Sequence, residues 1–188
     1  LDQWRLIPGN KRPEYLVTYL SGFNQSFITL PGILGIGLDN YLGSESLYYQ
    51  QLGIPMYIRR SMSPANLSAD AVRAWIYSEL PQPGMQGDFL ERMIYEGKVY
   101  YLASKMLTSA DPESLFHYSK EQLKWCRDHE QAMWEYLAEQ KVLFSNERMT
   151  IRRYIDEAPF TRDFGNESPG RVGVWIGYQV INSYMKKT

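Results

Sequence analysis

The sequence predicts an α+β fold, predominantly helical, with a small N-terminal antiparallel sheet followed by about five or six helices. Strand-forming residues cluster in short, punctuated runs within the first forty positions. From about residue 44 onward the apolar residues recur at helical spacing, and proline and glycine separate the segments. One domain over 1–188 is expected, with a sheet-forming part at about 14–43 and a helical part at about 44–188.

The strand candidates are Tyr15 to Leu20, Phe27 to Thr29 after the turn-prone Gly22 and Asn24, and Ile33 to Leu38 after Pro31-Gly32. Gly35 and Gly37 interrupt the third run and mark a bulge or a close approach by another group. Ser44 to Leu52 reads as a short helix stopped by Gly53 and Pro55. Ser68 to Leu80 reads as a longer one, with Ser68 as N-cap and Pro81 and Pro83 opening a loop to Gly87. Gly87 to Leu107 is apolar over much of its circumference, which predicts a central helix. Ser119 to Phe144 opens with a capping box, Ser119 and Gln122 each satisfying an orphan backbone amide. Asn146 caps a shorter helix to about Asp156, and Pro159-Phe160 begins a loop. Ser168-Pro169 has the N-cap and first-turn pattern of a last helix ending near Met185. Gly170, Gly173 and Gly177 lie on one side of that helix. Each costs about 1 kcal/mol relative to alanine, so the side they share is expected to meet another backbone.

Charge and composition exclude several function classes. Twenty basic against 21 acidic residues lack the basic excess of a nucleic-acid binder. No stretch is long and apolar enough to span a bilayer. The single cysteine, Cys126, excludes an internal disulfide. Fifteen tyrosines and five tryptophans suit half-buried positions with one wet end, whether in a core or along a groove. The chain starts at Leu1 without an initiator methionine and is expected to be a fragment whose N-terminal part, with any signal peptide or lipid anchor, was removed.

No complete catalytic motif is present. His117 and His129 are the only histidines, and His129-Glu130 continues to Met133 where a zinc peptidase needs a second histidine. Cys126 and His129 stand three apart on one predicted helix, and two ligands do not make a structural zinc site. No metal and no cofactor are therefore expected. Glu96 shares a stripe with Phe89, Met93 and Tyr100, and Glu130 shares one with Leu123, Cys126, Met133 and Leu137. A carboxylate on an apolar face shifts its pKa or finds a partner. Glu96, Lys98, Gln122, Trp125, Glu130, Arg171 and Tyr178 are the candidates for a polar pocket. They form either a hydrogen-bond network that holds helices in register or a ligand site.

Several of these residues carry a family resemblance. Ile36 to Gly43, Met93 to Tyr101, the set Tyr118, Gln122, Trp125, Glu130 and Trp134, Ala158-Pro159-Phe160, and Glu167 to Gly177 resemble the gliding-motility lipoprotein family GldB of the Bacteroidetes. The resemblance runs from about residue 14 onward. It implies a lipid-anchored cell-envelope protein, at the periplasmic face or the outer membrane, with a role in gliding or its linked secretion. A more distant similarity is to HExxH zinc peptidases, in which Glu96-Gly97 resembles the third-ligand element. The preceding helix reads Ala74-Trp75-Ile76-Tyr77-Ser78-Glu79 and holds no histidine. The expected function is non-catalytic, on a degenerate peptidase-like scaffold that binds an envelope protein partner. The alternatives are a hydrolase using Glu96 and Glu130, or a module that binds a peptide or small ligand.

Overall fold

The computed structural model describes residues 3–84, 86–107 and 111–187; Met85, inside the expected Pro81–Gly87 loop, lies outside them. The chain divides into two compact units, Leu1–Pro81 with Leu102–His117, and Gln82–Tyr101 with Tyr118–Thr188. One of these boundaries, at Pro81, falls in the proline-rich loop that the sequence marks. The helix-dominated α+β class is confirmed, with nine α-helices among the described residues rather than five or six.

The first unit holds the sheet: β1 (Tyr15–Tyr19), β2 (Phe27–Leu30) and β3 (Ile33–Gly37), in the order β1-β3-β2. The sheet is mixed rather than antiparallel. β2 and β3 form an antiparallel hairpin through Pro31-Gly32, whereas β1 runs parallel to β3 with Tyr15 beside Ile33 and Tyr19 beside Gly37. The segment between β1 and β2 crosses over β3, and three short runs of strand formers do not encode that order. Leu34 and Ile36 face a core closed by α3 (Leu67–Glu79), whose Trp75 and Ile76 are buried. The third strand needs Gly35 because a Cβ there would meet the Tyr19 ring at 3.3 Å, the close approach expected from sequence.

Gly37 leads into Leu38–Tyr41, a 3-10 turn that ties the sheet to the following helices. The buried Asp39 carboxylate accepts from the Ser21 and Phe23 amides at 2.7–3.0 Å and from the Ser21 hydroxyl, so it closes the β1–β2 crossover. Tyr49 donates to the Asp39 carbonyl at 2.8 Å and accepts from the Leu42 amide at 2.9 Å. Tyr49 sits on α1 (Leu47–Gln51), which α2 (Met56–Ser61) follows. Helix α3 does not start at a Ser68 cap. A 3-10 turn, Pro64–Asn66, leads straight into it, and the side chain of Ser63 caps that turn instead. The short α5 (Pro112–Phe116), capped by Asp111, completes the first unit.

The second unit is helical. Helix α4 (Phe89–Met106) contributes its residues up to Tyr101 to this unit. The continuous helix expected over Ser119 to Phe144 is broken at His129 into α6 (Lys120–Asp128) and α7 (Glu130–Glu139). His129 has φ −113° and ψ 9°. Its ring stacks on Trp125 with centroids 4.3 Å apart and hydrogen-bonds the Trp125 carbonyl at 2.9 Å. Helix α8 spans Arg148–Ile155. The last helix, α9 (Val172–Met185), begins four residues after the expected Ser168 cap. Ser168 and Pro169 are instead clamped to Thr161: the Thr161 amide donates to the Pro169 carbonyl at 3.0 Å, and the Ser168 hydroxyl donates to the Thr161 carbonyl at 3.1 Å.

Candidate functional site

The seven pocket candidates from the sequence lie in the second unit, where Arg171, Glu96 and Glu130 occupy three separate places. Arg171 is buried and centres a polar cluster. It occupies the left-handed region (φ 59°) ahead of α9, where Gly170 must pass within 2.2 Å of the Ala158 carbonyl, measured to a notional Cβ. Its Nη1 donates to the Tyr100 hydroxyl at 2.8 Å, its Nε pairs with Glu157 at 3.2 Å, and its guanidinium lies 5.9 Å from the Tyr118 ring centre. The Tyr118 hydroxyl donates to the Gly170 carbonyl. Burial drives the Tyr118 phenol well above its ordinary range, partly opposed by the Arg171 charge. Burial pushes the Cys126 thiol up to about 12, so it is an inert core thiol at neutral pH. The geometry is that of a structural clamp on the Ser168-Pro169-Gly170-Arg171 turn, because the donors and acceptors are spent on one another.

Glu96 lines a different place, an open hollow of about 610 Å³. Its lining includes Arg92, Arg148 and Arg152 together with Glu96 and Asp156, and the apolar Ile151 and Ile155. Arg152 pairs with Asp156 at 2.7 Å. Glu130 lines a third place, a groove of about 420 Å³ between α7 and α9. Trp134, Ile176, Val180 and Tyr184 form its apolar walls, and Ser183 and Lys187 its polar end. Burial raises the Glu130 carboxyl above its ordinary value.

The remaining candidates join neither hollow. Lys98 is exposed. Gln122 is engaged in the capping box with Ser119, as the sequence predicts. Trp125 is held by His129 and Phe164, and Tyr178 packs its ring 6.5 Å from that of Trp175. Glu96 and Glu130 therefore line different hollows. Among the described residues no three His, Cys, Asp or Glu side chains converge as a metal site would require, and no helix is long and apolar enough to cross a membrane.

Sequence reasoning missed two features. The α9 wall of the groove, Ile176, Val180 and Tyr184, has a spacing of four that the inward-facing glycines of the same helix overshadowed. In the first unit, Asp70 gathers Arg73 and His117, the latter at 2.7 Å, and accepts from the Tyr41 hydroxyl at 2.8 Å. Burial alone would raise the Asp70 carboxyl. The His117 hydrogen bond and the Arg73 charge outweigh it and hold the group below its ordinary 3.8. Arg73 also donates to the Leu115 carbonyl at 2.7 Å, so this network ties α3 to the end of α5.

The chain belongs to the gliding-motility lipoprotein family GldB, whose family model, described as gliding motility protein GldB, matches residues 5–188. No curated protein and no solved structure matches the chain. The more distant likeness to zinc peptidases finds no support in these comparisons.

Proposed function

We propose that this domain works by docking another cell-envelope protein, without catalysis, and that the α7–α9 groove is its contact surface. The observation that carries this reading is the groove itself. Trp134 and Tyr184, both exposed, stand at its rim, Ile176 and Val180 line it, and Glu130 and Lys187 offer one charge of each sign. Exposed aromatic residues around a concave apolar floor are the composition of an interface hot spot. The family's link to gliding motility supports an envelope setting, with a lipid anchor as its means of attachment.

A photo-crosslinking residue placed at Tyr184 in cells tests this. The expected result is a discrete adduct with one protein, lost when Val180→Glu places a charge in the groove, while the same probe at the exposed Lys124 on α6 gives none. Equal adducts from Tyr184 and Lys124, or an adduct indifferent to Val180→Glu, would refute the docking surface. Hydrolysis of a peptide or glycoside substrate that Glu96→Gln abolishes would refute the non-catalytic assignment.

A further inference from the structure

The sheet in the first unit carries an unguarded edge. Strand β1 pairs with β3 on one side, and among the described residues no strand covers its other side. Natural sheets protect such an edge with lysine, proline, a bulge or a covering element. Here the strand reads Tyr-Leu-Val-Thr-Tyr and is followed by Leu20, with no charge, proline or bulge from 15 to 20. Its side chains are open to solvent on both faces: Tyr15 is 64%, Leu16 68%, Val17 49% and Leu20 82% exposed. Leu16 points to the same face as the buried Leu34, yet α3 packs under β2 and β3 and leaves Leu16 uncovered. The opposite face continues the apolar surface through Ile28 and Leu30.

We infer that β1 is a self-association edge, and that two copies of this chain pair antiparallel through β1 about a two-fold axis at Val17. Backbone parity permits this register. The Tyr15 amide bonds the Gly32 carbonyl at 3.0 Å, so in the parallel ladder Tyr15, Val17 and Tyr19 turn their N–H and C=O groups toward β3. Leu16 and Thr18 therefore turn theirs outward. An axis at Val17 sets Leu16 opposite Thr18 of the second copy as a hydrogen-bonded pair, and Val17 opposite Val17 as a non-hydrogen-bonded pair with close side chains. The strand is nearly palindromic, so Tyr15 meets Tyr19 on both sides of the axis. Cross-strand aromatic and β-branched pairs of this kind are favourable, and no like charges are brought together within the strand. An isologous contact needs one surface to be complementary to itself, and this strand is. The result is one six-stranded sheet shared by the two copies. This pairing uses the first unit only and does not depend on the α7–α9 groove.

Sedimentation equilibrium of the whole chain, from micromolar to near-millimolar concentration, reads the association directly. The expected result is a monomer–dimer equilibrium that Val17→Lys weakens by about tenfold or more, because it sets two lysines side by side across the axis. Val17→Glu alone weakens it likewise, and mixing the two variants restores dimer. The register has its own readout. Directly opposed non-hydrogen-bonded residues have Cα atoms about 4.5 Å apart, within disulfide range. Val17→Cys therefore gives a covalent dimer on oxidation, while Leu16→Cys does not; the buried Cys126 contributes no background. A chain that stays monomeric throughout, or a dimer unaffected by Val17→Lys, overturns the proposal. A disulfide dimer from Leu16→Cys and not from Val17→Cys overturns the register.

Discussion

Gly97 of α4 and Gly177 of α9 touch backbone to backbone: a Cβ on Gly97 would lie 2.2 Å from the Gly177 carbonyl oxygen, and a Cβ on Gly177 would lie 2.0 Å from that of Met93. The two helices cross with no side chain between them, which explains two glycines in helix interiors where each costs about 1 kcal/mol. The second unit is built around this crossing. Phe89 and Met93 of α4 and Val172 and Ile176 of α9 are all buried beside it.

Gly177→Ala is therefore expected to destabilise the chain by about 3 kcal/mol or more, because backbone on both helices must shift to admit a methyl group. Gly84→Ala is the control. No atom lies within 4 Å of the Cβ it would add, so it should be neutral or stabilising by about 0.4 kcal/mol. Urea unfolding of the two variants beside the parent measures the difference.

Removing the Arg171 side chain leaves Tyr100 and Tyr118 buried without their cation. Arg171→Met should cost about 2 kcal/mol, through loss of the charge-assisted hydrogen bond to the Tyr100 hydroxyl. Arg171→Lys should not restore the loss, since an ammonium cannot serve Tyr100 and Glu157 with the geometry of the guanidinium fork. The exposed Arg153–Asp163 pair is the comparison, and Arg153→Ala should cost less than about 1 kcal/mol. Thermal unfolding of the three variants ranks them.

Two carboxylates should leave opposite marks on the pH dependence of stability. Asp70 is held below its ordinary 3.8, so its contribution is present above that value and lost as the pH falls through its folded pKa. Asp70→Asn should flatten the acid limb of a melting-temperature profile. The Glu130 carboxyl is raised, so the folded state keeps a proton that the unfolded state has released, and stability declines as the pH rises above its ordinary 4.5. Glu130→Gln should raise the melting temperature at pH 7 and leave it little changed at pH 4.

Zinc offered to the purified chain tests whether Glu96 takes part in a metal site. The expected outcome is no stoichiometric binding by elemental analysis and no change on Glu96→Ala. Bound zinc that this substitution removes would favour the catalytic alternative.

The fold class, the sheet-forming segment within about 14–43, the capping box at Ser119–Gln122 and the close approach at the α9 glycines were legible in the sequence, because each rests on local chemistry. A hydroxyl three residues before a glutamine satisfies its own helix terminus wherever the helix lies. Glycine in an apolar helix signals proximity whatever the partner. The family was legible too, in short motifs such as Asp39-Asn40 and Ser168-Pro169-Gly170-Arg171. Their roles were not. Asp39 closes a strand crossover from 18 residues away, and Ser168 clamps Thr161 rather than capping a helix. Tertiary structure alone decided the parallel pairing of β1, the break at His129, and the separation of Glu96 from Glu130 into different hollows. Each depends on which distant surface a segment packs against, and a periodic pattern states only that a face is apolar, not what it meets.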